Sequence, residues 1–447
     1  MITTKSLMKL FVSAVLAAQC FSVSSQVIEV ADVCEDSESC WIREGVLFND
    51  NLYFTEKSKL HYTSGIYEKL DTLNDFSPLI ENIFIGKESL YFSARVESSL
   101  MPKFRIYESD GNLSGIHPIS ELIDNLYGIG SNARNAIVDD KLMLVYHSVP
   151  ENIPGLFDAG GMLFFDVNSQ ETFSFDTLDQ LYLSVYTSQQ YHFLNDKYFF
   201  RVQYAGNNKL DMACHDFSFD GIQLLSKEKD LSNPRIWTTF KNRLWLTARD
   251  SNYISEIWST DGTIEDAELF MSGIRTGYVC QSDSLLYFSV IDIDLKRSLW
   301  VTDGTILGTK SIYDFEGENY LIDAYNFGDK FLLLLFGPEA YAGSYLVEGT
   351  DVEFLEEFSK AEVYRPLGII DQKIYYENED ELHGEEIWVY DYATNKTELF
   401  IDLNPGPEDS DPSTFVSNSQ GFYFTGNPGD GTTKLYYHKN LSTDIAE

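Results

Sequence analysis

A chain of 447 residues with 28 Tyr and 31 Phe against 29 Gly and 12 Pro suits many short strands, because aromatic side chains favour pleated, half-buried surfaces. Seventy acidic residues oppose 32 basic ones, and the resulting net charge of −38 repels phosphate backbones and anionic lipid heads, which argues against nucleic acid as a partner. Length alone decides nothing, since a closed all-β architecture can use this many residues as one unit.

Residues 1–25 read as a secretory signal peptide: Lys5 and Lys9 precede an apolar run over 10–18, and small residues follow at Ser22, Ser24 and Ser25. That run is too short to cross a bilayer, and no later run exceeds strand length, so no transmembrane segment is expected. Gln19 stands where a lipoprotein cleavage site has a small residue, which argues against lipid attachment at Cys20. The mature part, 26–447, is expected to be exported (periplasmic, cell-surface or secreted) and monomeric. In an oxidising compartment Cys34 and Cys40 could close a short disulfide loop, whereas Cys214 and Cys280 read as buried small apolar residues.

Residues 26–33 alternate well enough for a single strand whose partner is not its neighbour in sequence. From there an apolar triplet returns nine times, at Leu52, Leu90, Leu142, Tyr198, Leu244, Leu286, Phe331, Ile374 and Phe422, with spacings of 38 to 56 residues. Turn pairs such as Asn195-Asp196 precede several triplets and read as hairpins. A second strand pair follows, clearest in Glu256-Ile-Trp-Ser-Thr-Asp-Gly-Thr and Ser298-Leu-Trp-Val-Thr-Asp-Gly-Thr, where Asp-Gly supplies the positive φ of a tight turn. The final copy, 385–437, is the most complete. It stops after a third strand, and the missing outer strand is available in 26–33.

These residues resemble the bacterial repeat family named for its Glu-Leu-Trp-x-x-Asp-Gly-Thr motif, with the match best at 256–263, 298–309 and 385–437. The resemblance implies a β-propeller-like array in an exported protein and brings no catalytic residue with it. The expected fold is therefore all-β: a single β-propeller of four-stranded antiparallel blades, nine in number with eight as the alternative, closed by the N-terminal strand completing the last blade.

With strands numbered outward, the turns after the first and third strands share one end of each sheet, and the longer loops share the other. Two of those longer loops carry Glu377, Glu379, Asp380, Asp402, Asp409 and Asp411. They read either as solvated charge or as a Ca²⁺ site, although no spacing matches a twelve-residue calcium loop. No zinc pair, nucleophile elbow, phosphate-cradling loop or repeated cofactor-docking pattern is present, and Cys214 and His215, as consecutive strand residues, point to opposite faces. Arginines are few and dispersed along the chain. The expected function is a non-enzymatic binding protein whose loop-bearing face or central opening takes another envelope protein or a carbohydrate; the alternative is a polysaccharide hydrolase or lyase built from carboxylates on that face, which sequence cannot pair.

Overall fold

The computed structural model describes residues 27–32, 43–49, 51–56, 59–63, 71–72, 79–97, 103–111, 115–121, 136–138, 141–147, 160–175, 183–185, 192–204, 210–215, 223–224, 232–249, 255–263, 266–272, 275–291, 296–315, 320–327, 330–336, 341–360, 366–370, 372–418 and 421–439. The signal-peptide, Cys20 and Cys34–Cys40 expectations lie outside these residues. Among the described residues no helix is long and apolar enough to cross a membrane.

The protein is an all-β β-propeller whose described residues form antiparallel sheets, eight with four strands and one with five. In chain order they are sheet A (43–72), B (79–118), C (136–175), D (183–224), E (232–272), F (275–315), G (320–354), H (366–401) and I (413–439). The fourth strand of sheet I is Val27–Asp32, paired antiparallel with Lys434–Lys439 from Val27 opposite His438 to Asp32 opposite Lys434. The N-terminal strand thus completes the last sheet, as the unfinished final repeat requires. Sheet D has five strands because its first strand is interrupted: Leu183–Val185 and His192–Leu194 both pair along the same edge of Lys197–Tyr204.

The chain forms two compact units, one of residues 1–75 and 363–447 holding sheets A, H and I, the other of residues 76–362 holding sheets B to G. Within each unit the core lies between consecutive sheets. Leu244 and Leu246 pack with Phe199 and Cys214 of sheet D, while the intervening Trp245 packs with Leu286 and Phe288 of sheet F. Sheet F repeats the rule, since Tyr287 packs with Phe331 and Leu333 of sheet G. In the other unit Phe422 and Phe424 face sheet H, and Tyr423 faces Leu52 and Phe54 of sheet A. The second strand is buried on both sides, so three consecutive apolar residues are needed where a one-sided strand would alternate. Leu244, Trp245 and Leu246 are all at most 1% exposed, which stabilises the sheet stack by roughly 2 kcal/mol per side chain. Cys214 and Cys280 are both buried thiols outside any disulfide, and burial holds the Cys280 thiol far above its ordinary range.

The Asp-Gly-Thr segments depart from the two-residue hairpin expected from sequence. Strands three and four of sheet E are joined by residues 261–267 and those of sheet F by 303–309, seven-residue loops in which Gly262 (φ +101°) and Gly304 (φ +92°) do adopt positive φ. Each Asp carboxylate is occupied inside its loop: Asp261 accepts Thr263 N (2.9 Å) and Thr263 Oγ1 (2.7 Å), and Asp303 accepts the same two groups of Thr305. The Thr hydroxyl bonds hold both carboxyls below their ordinary value.

Candidate functional site

In the unit of sheets A, H and I, two of the six acids singled out above, Asp380 and Asp409, accept backbone N–H groups. Asp380 Oδ1 accepts the backbone N–H groups of Leu382 (2.8 Å) and His383 (2.7 Å), and its other oxygen lies 2.9 Å from His383 Nδ1. That pairing lowers the Asp380 pKa and raises the His383 pKa, with Asp402 and Glu386 adding to the field on the imidazole. Asp409 Oδ1 accepts Glu385 N at 2.8 Å. Glu377 and Glu379 lie on the second strand of sheet H, opposite Ile387 and Glu385. Burial raises the Glu385 pKa, and so does repulsion from Asp411, Asp409 and Glu379, which lie within electrostatic range of it. Among the described residues no group of three or more His, Cys, Asp or Glu side chains is placed to hold a metal ion.

The residue that organises this edge is Glu386, which composition and motif reading passed over. Its carboxylate is fully buried and accepts Leu403 N (3.0 Å), Asn404 N (3.1 Å) and Ser410 Oγ (2.7 Å), so one side chain pins both ends of the 402–411 loop. Burial raises its pKa against the opposing pull of those three donors. Gly384 (φ +66°) lets the loop close in, since a Cβ there would lie 2.7 Å from the Glu408 carbonyl. A signal did exist in the sequence: the residue two before each recurring tryptophan is polar. In sheets E and F that residue receives the indole N–H, Trp258 Nε1 to Glu256 Oε2 and Trp300 Nε1 to Ser298 Oγ, both at 2.9 Å. In sheet H the carboxylate is turned to the loop, and Trp388 Nε1 is buried with no hydrogen-bond partner among the described residues.

In the unit of sheets B to G, the tight-turn end of the sheets is laced from one sheet to the next. Asn195 Nδ2 of sheet D donates to Asp261 O of sheet E (2.8 Å), Lys241 Nζ of sheet E to Asp303 O of sheet F (2.8 Å), and Tyr287 Oη of sheet F to Gly349 O of sheet G (2.9 Å). The Asp-Gly-Thr turn is thus the receiving half of a latch, and its glycine is obligatory at sheet E, where a Cβ on Gly262 would sit 2.8 Å from Phe199 Cζ.

At this end a cleft of about 520 Å³ opens across the first strands of sheets E, F and G. Thr239, Lys241, Gln281, Ser282, Asp283 and Asn326 line it over the buried ring of Phe240. Its floor is fixed by amides: Gln281 Nε2 donates to Thr239 O (3.1 Å), Gln281 Oε1 accepts from Thr238 Oγ1 (2.8 Å), and Asn326 Nδ2 donates to Gln281 O (2.9 Å). The lining offers two hydroxyls, one ammonium and one carboxylate. It includes neither His nor Cys and no second carboxylate, so among the described residues it has no nucleophile–base pair and no acid pair for glycoside hydrolysis.

No family model matches the chain, and no curated protein is similar to it. Among solved structures it is similar to the β-propeller domain of the Trilobed protease from Pyrococcus furiosus (TM-score 0.36, 10% identity, 73% of this chain and 98% of that one). It is also similar to Oligopeptidase B from Leishmania major (TM-score 0.43, 9% identity, 83% and 54%) and to a puromycin-hydrolyzing peptidase from Mycobacterium tuberculosis (TM-score 0.37, 8% identity, 78% and 58%). This chain spans little more than half the length of the latter two proteins. At these scores no activity passes from them to this chain.

Proposed function

We propose that this chain is an exported, non-enzymatic β-propeller protein that binds a polar ligand, a carbohydrate or a segment of an envelope protein, in the cleft at the tight-turn end of sheets E, F and G. The observation that supports this reading is the cleft itself, with hydroxyl, ammonium and carboxylate groups above a floor whose amides are already fixed by hydrogen bonds. Such a surface offers directional hydrogen bonds at little reorganisation cost, which suits recognition. Export rests on the composition of residues 1–25, and the resemblance to the Glu-Leu-Trp-x-x-Asp-Gly-Thr repeats rests on the shared Trp and Asp-Gly-Thr positions of sheets E and F. We propose nine blades rather than eight, taking the five strands of sheet D as one blade with an interrupted first strand.

The test is affinity chromatography of the mature protein on immobilised neutral and acidic glycans and on envelope extract, with released reducing sugar and unsaturated product measured alongside. Retention without product, weakened by Ser282→Arg in the cleft, is the expected result. Product release would replace this reading with a polysaccharide hydrolase or lyase.

A further inference from the structure

Arginines that are dispersed in sequence are sorted by the fold. Within the unit of sheets B to G, seven of the eight described arginines lie in the half of their strand nearest the longer loops, the end opposite the proposed cleft. Arg243 is the exception, and it is engaged by Asp266 (2.9 Å) and Ser259. Lys197, Lys241 and Lys330, in contrast, sit at the tight-turn end.

Three of the arginines stand around one groove. Arg235 of the first strand of sheet E is opposite Thr247, and Arg249 lies two residues beyond Thr247 on the same strand, so all three side chains leave the same side of the sheet. Together with Asn233, Ser255 and Thr276 they line a pocket of about 130 Å³. Arg275 begins the first strand of sheet F, directly before Thr276. Arg235, Arg249 and Arg275 are exposed and make no ion pair or side-chain hydrogen bond among the described residues. The buried Arg201 of sheet D donates to Asn233 Oδ1, which fixes the groove's far wall. Thr276 Oγ1 is buried with no hydrogen-bond partner among the described residues, although buried polar atoms are nearly always paired. The neighbouring carboxylate, Glu256, already receives the Trp258 indole.

We propose that this groove between sheets E and F binds a compact anionic group, a carboxylate or sulfate carried on a sugar, through Arg235 and Arg249 with Thr276 Oγ1 donating from its wall. The groove has about a quarter of the volume of the cleft, about 130 against 520 Å³, which favours a compact group. Charge limits the ligand as well, because a net −38 chain repels long polyanions and leaves local guanidiniums to recognise single groups. The groove and the cleft occupy opposite ends of the same strands, so this proposal stands or falls separately from the function proposed above.

The test is calorimetric titration of the mature protein at constant ionic strength with trigalacturonate, with a sulfated trisaccharide of neutral sugars, and with inorganic sulfate. The wild type, Arg235→Gln/Arg249→Gln and Lys197→Gln are compared, each checked by its melting temperature. The expected result is binding of an anionic sugar that weakens about tenfold or more in the double variant and is unchanged by Lys197→Gln. Displacement by inorganic sulfate would also support the groove and assign recognition to the anion alone, whereas persistence of the sugar complex would assign part of it to the ring. Equal affinity in all three proteins, or no binding of any probe at millimolar concentration, would overturn the proposal.

Discussion

Glu256 in sheet E and Glu386 in sheet H hold the same place, two residues before a tryptophan on the third strand, and they do different things. The first carboxylate supports its own tryptophan; the second abandons it and holds a loop. The difference originates in the length of chain beyond the fourth strand. Sheet E passes to sheet F within residues 273–274, whereas sheet H leads into eleven residues, 402–412, before sheet I begins. A long exit has many backbone donors to satisfy, and a buried carboxylate can accept several of them at once. A repeat position therefore fixes where a side chain stands, and the adjoining loop decides its partner.

Truncating each carboxylate in turn puts this contrast to its hardest test. Glu386→Ala leaves two loop N–H groups without an acceptor and the Ser410 hydroxyl with only the Glu385 carbonyl, and is expected to cost about 3 kcal/mol, while Glu256→Ala removes one side-chain bond and costs about 1 kcal/mol. Urea unfolding monitored by tryptophan fluorescence compares them, and equal losses would end the distinction.

Acid should separate the two units next. His192, in the unit of sheets B to G, is half-buried with its Nε2 shut off from solvent, and this burial holds its pKa at about 4, below its ordinary 6.5. Its neutral form therefore contributes stability that is present above pH 6.5 and is lost as pH falls towards 4, up to about 3 kcal/mol in all. In the other unit Glu386 is raised above its ordinary 4.5, so protonation favours the folded state, and its contribution grows as pH falls through its folded pKa to 4.5. Stability curves of the wild type and His192→Phe should converge near pH 4 relative to their separation at pH 7, the variant having the flatter slope. A parallel pair of curves would contradict the assignment.

A smaller contrast lies among the turns. Gly262 and Gly349 both have positive φ after a third strand, but a methyl on Gly262 meets Phe199 whereas nothing lies within 4 Å of that position on Gly349. Gly262→Ala is expected to lower stability by about 2 to 3 kcal/mol and Gly349→Ala by about 1 kcal/mol, the strain alone. The least of these effects is a pair of carboxyl titrations by NMR. Asp303 should titrate below its ordinary 3.8 and Glu385 above its ordinary 4.5, with the same ordering in high salt because a Thr hydroxyl bond and burial are the leading causes.

The triplets are legible in the sequence because a strand buried on both faces must be apolar at consecutive positions, and Leu244-Trp245-Leu246 or Phe422-Tyr423-Phe424 cannot be mistaken for one-sided strands. The N-terminal strand is legible from a missing one. The interrupted first strand of sheet D is not, since three-residue pieces such as Leu183–Val185 carry too little periodicity to register. Asp-Gly-Thr reads as a tight hairpin because glycine announces positive φ and says nothing about loop length. Glu386 stays hidden because an acid beside a tryptophan looks like part of the repeat, and the arginines look dispersed because strand direction, which sorts them, is invisible until the sheets are assembled.

The pairing of Val27–Asp32 with Lys434–Lys439 sets the order of synthesis against the order of assembly. Glu29 leaves the ribosome 405 residues before Lys434, the partner it meets at 3.2 Å. Joining ends that far apart carries a chain entropy on the order of 5 kcal/mol, which only the finished stack of sheets can offset. Until residues 434–439 are made, Val27–Asp32 has no seat, and a chain cut short anywhere before residue 434 carries an outer strand with nothing to hold.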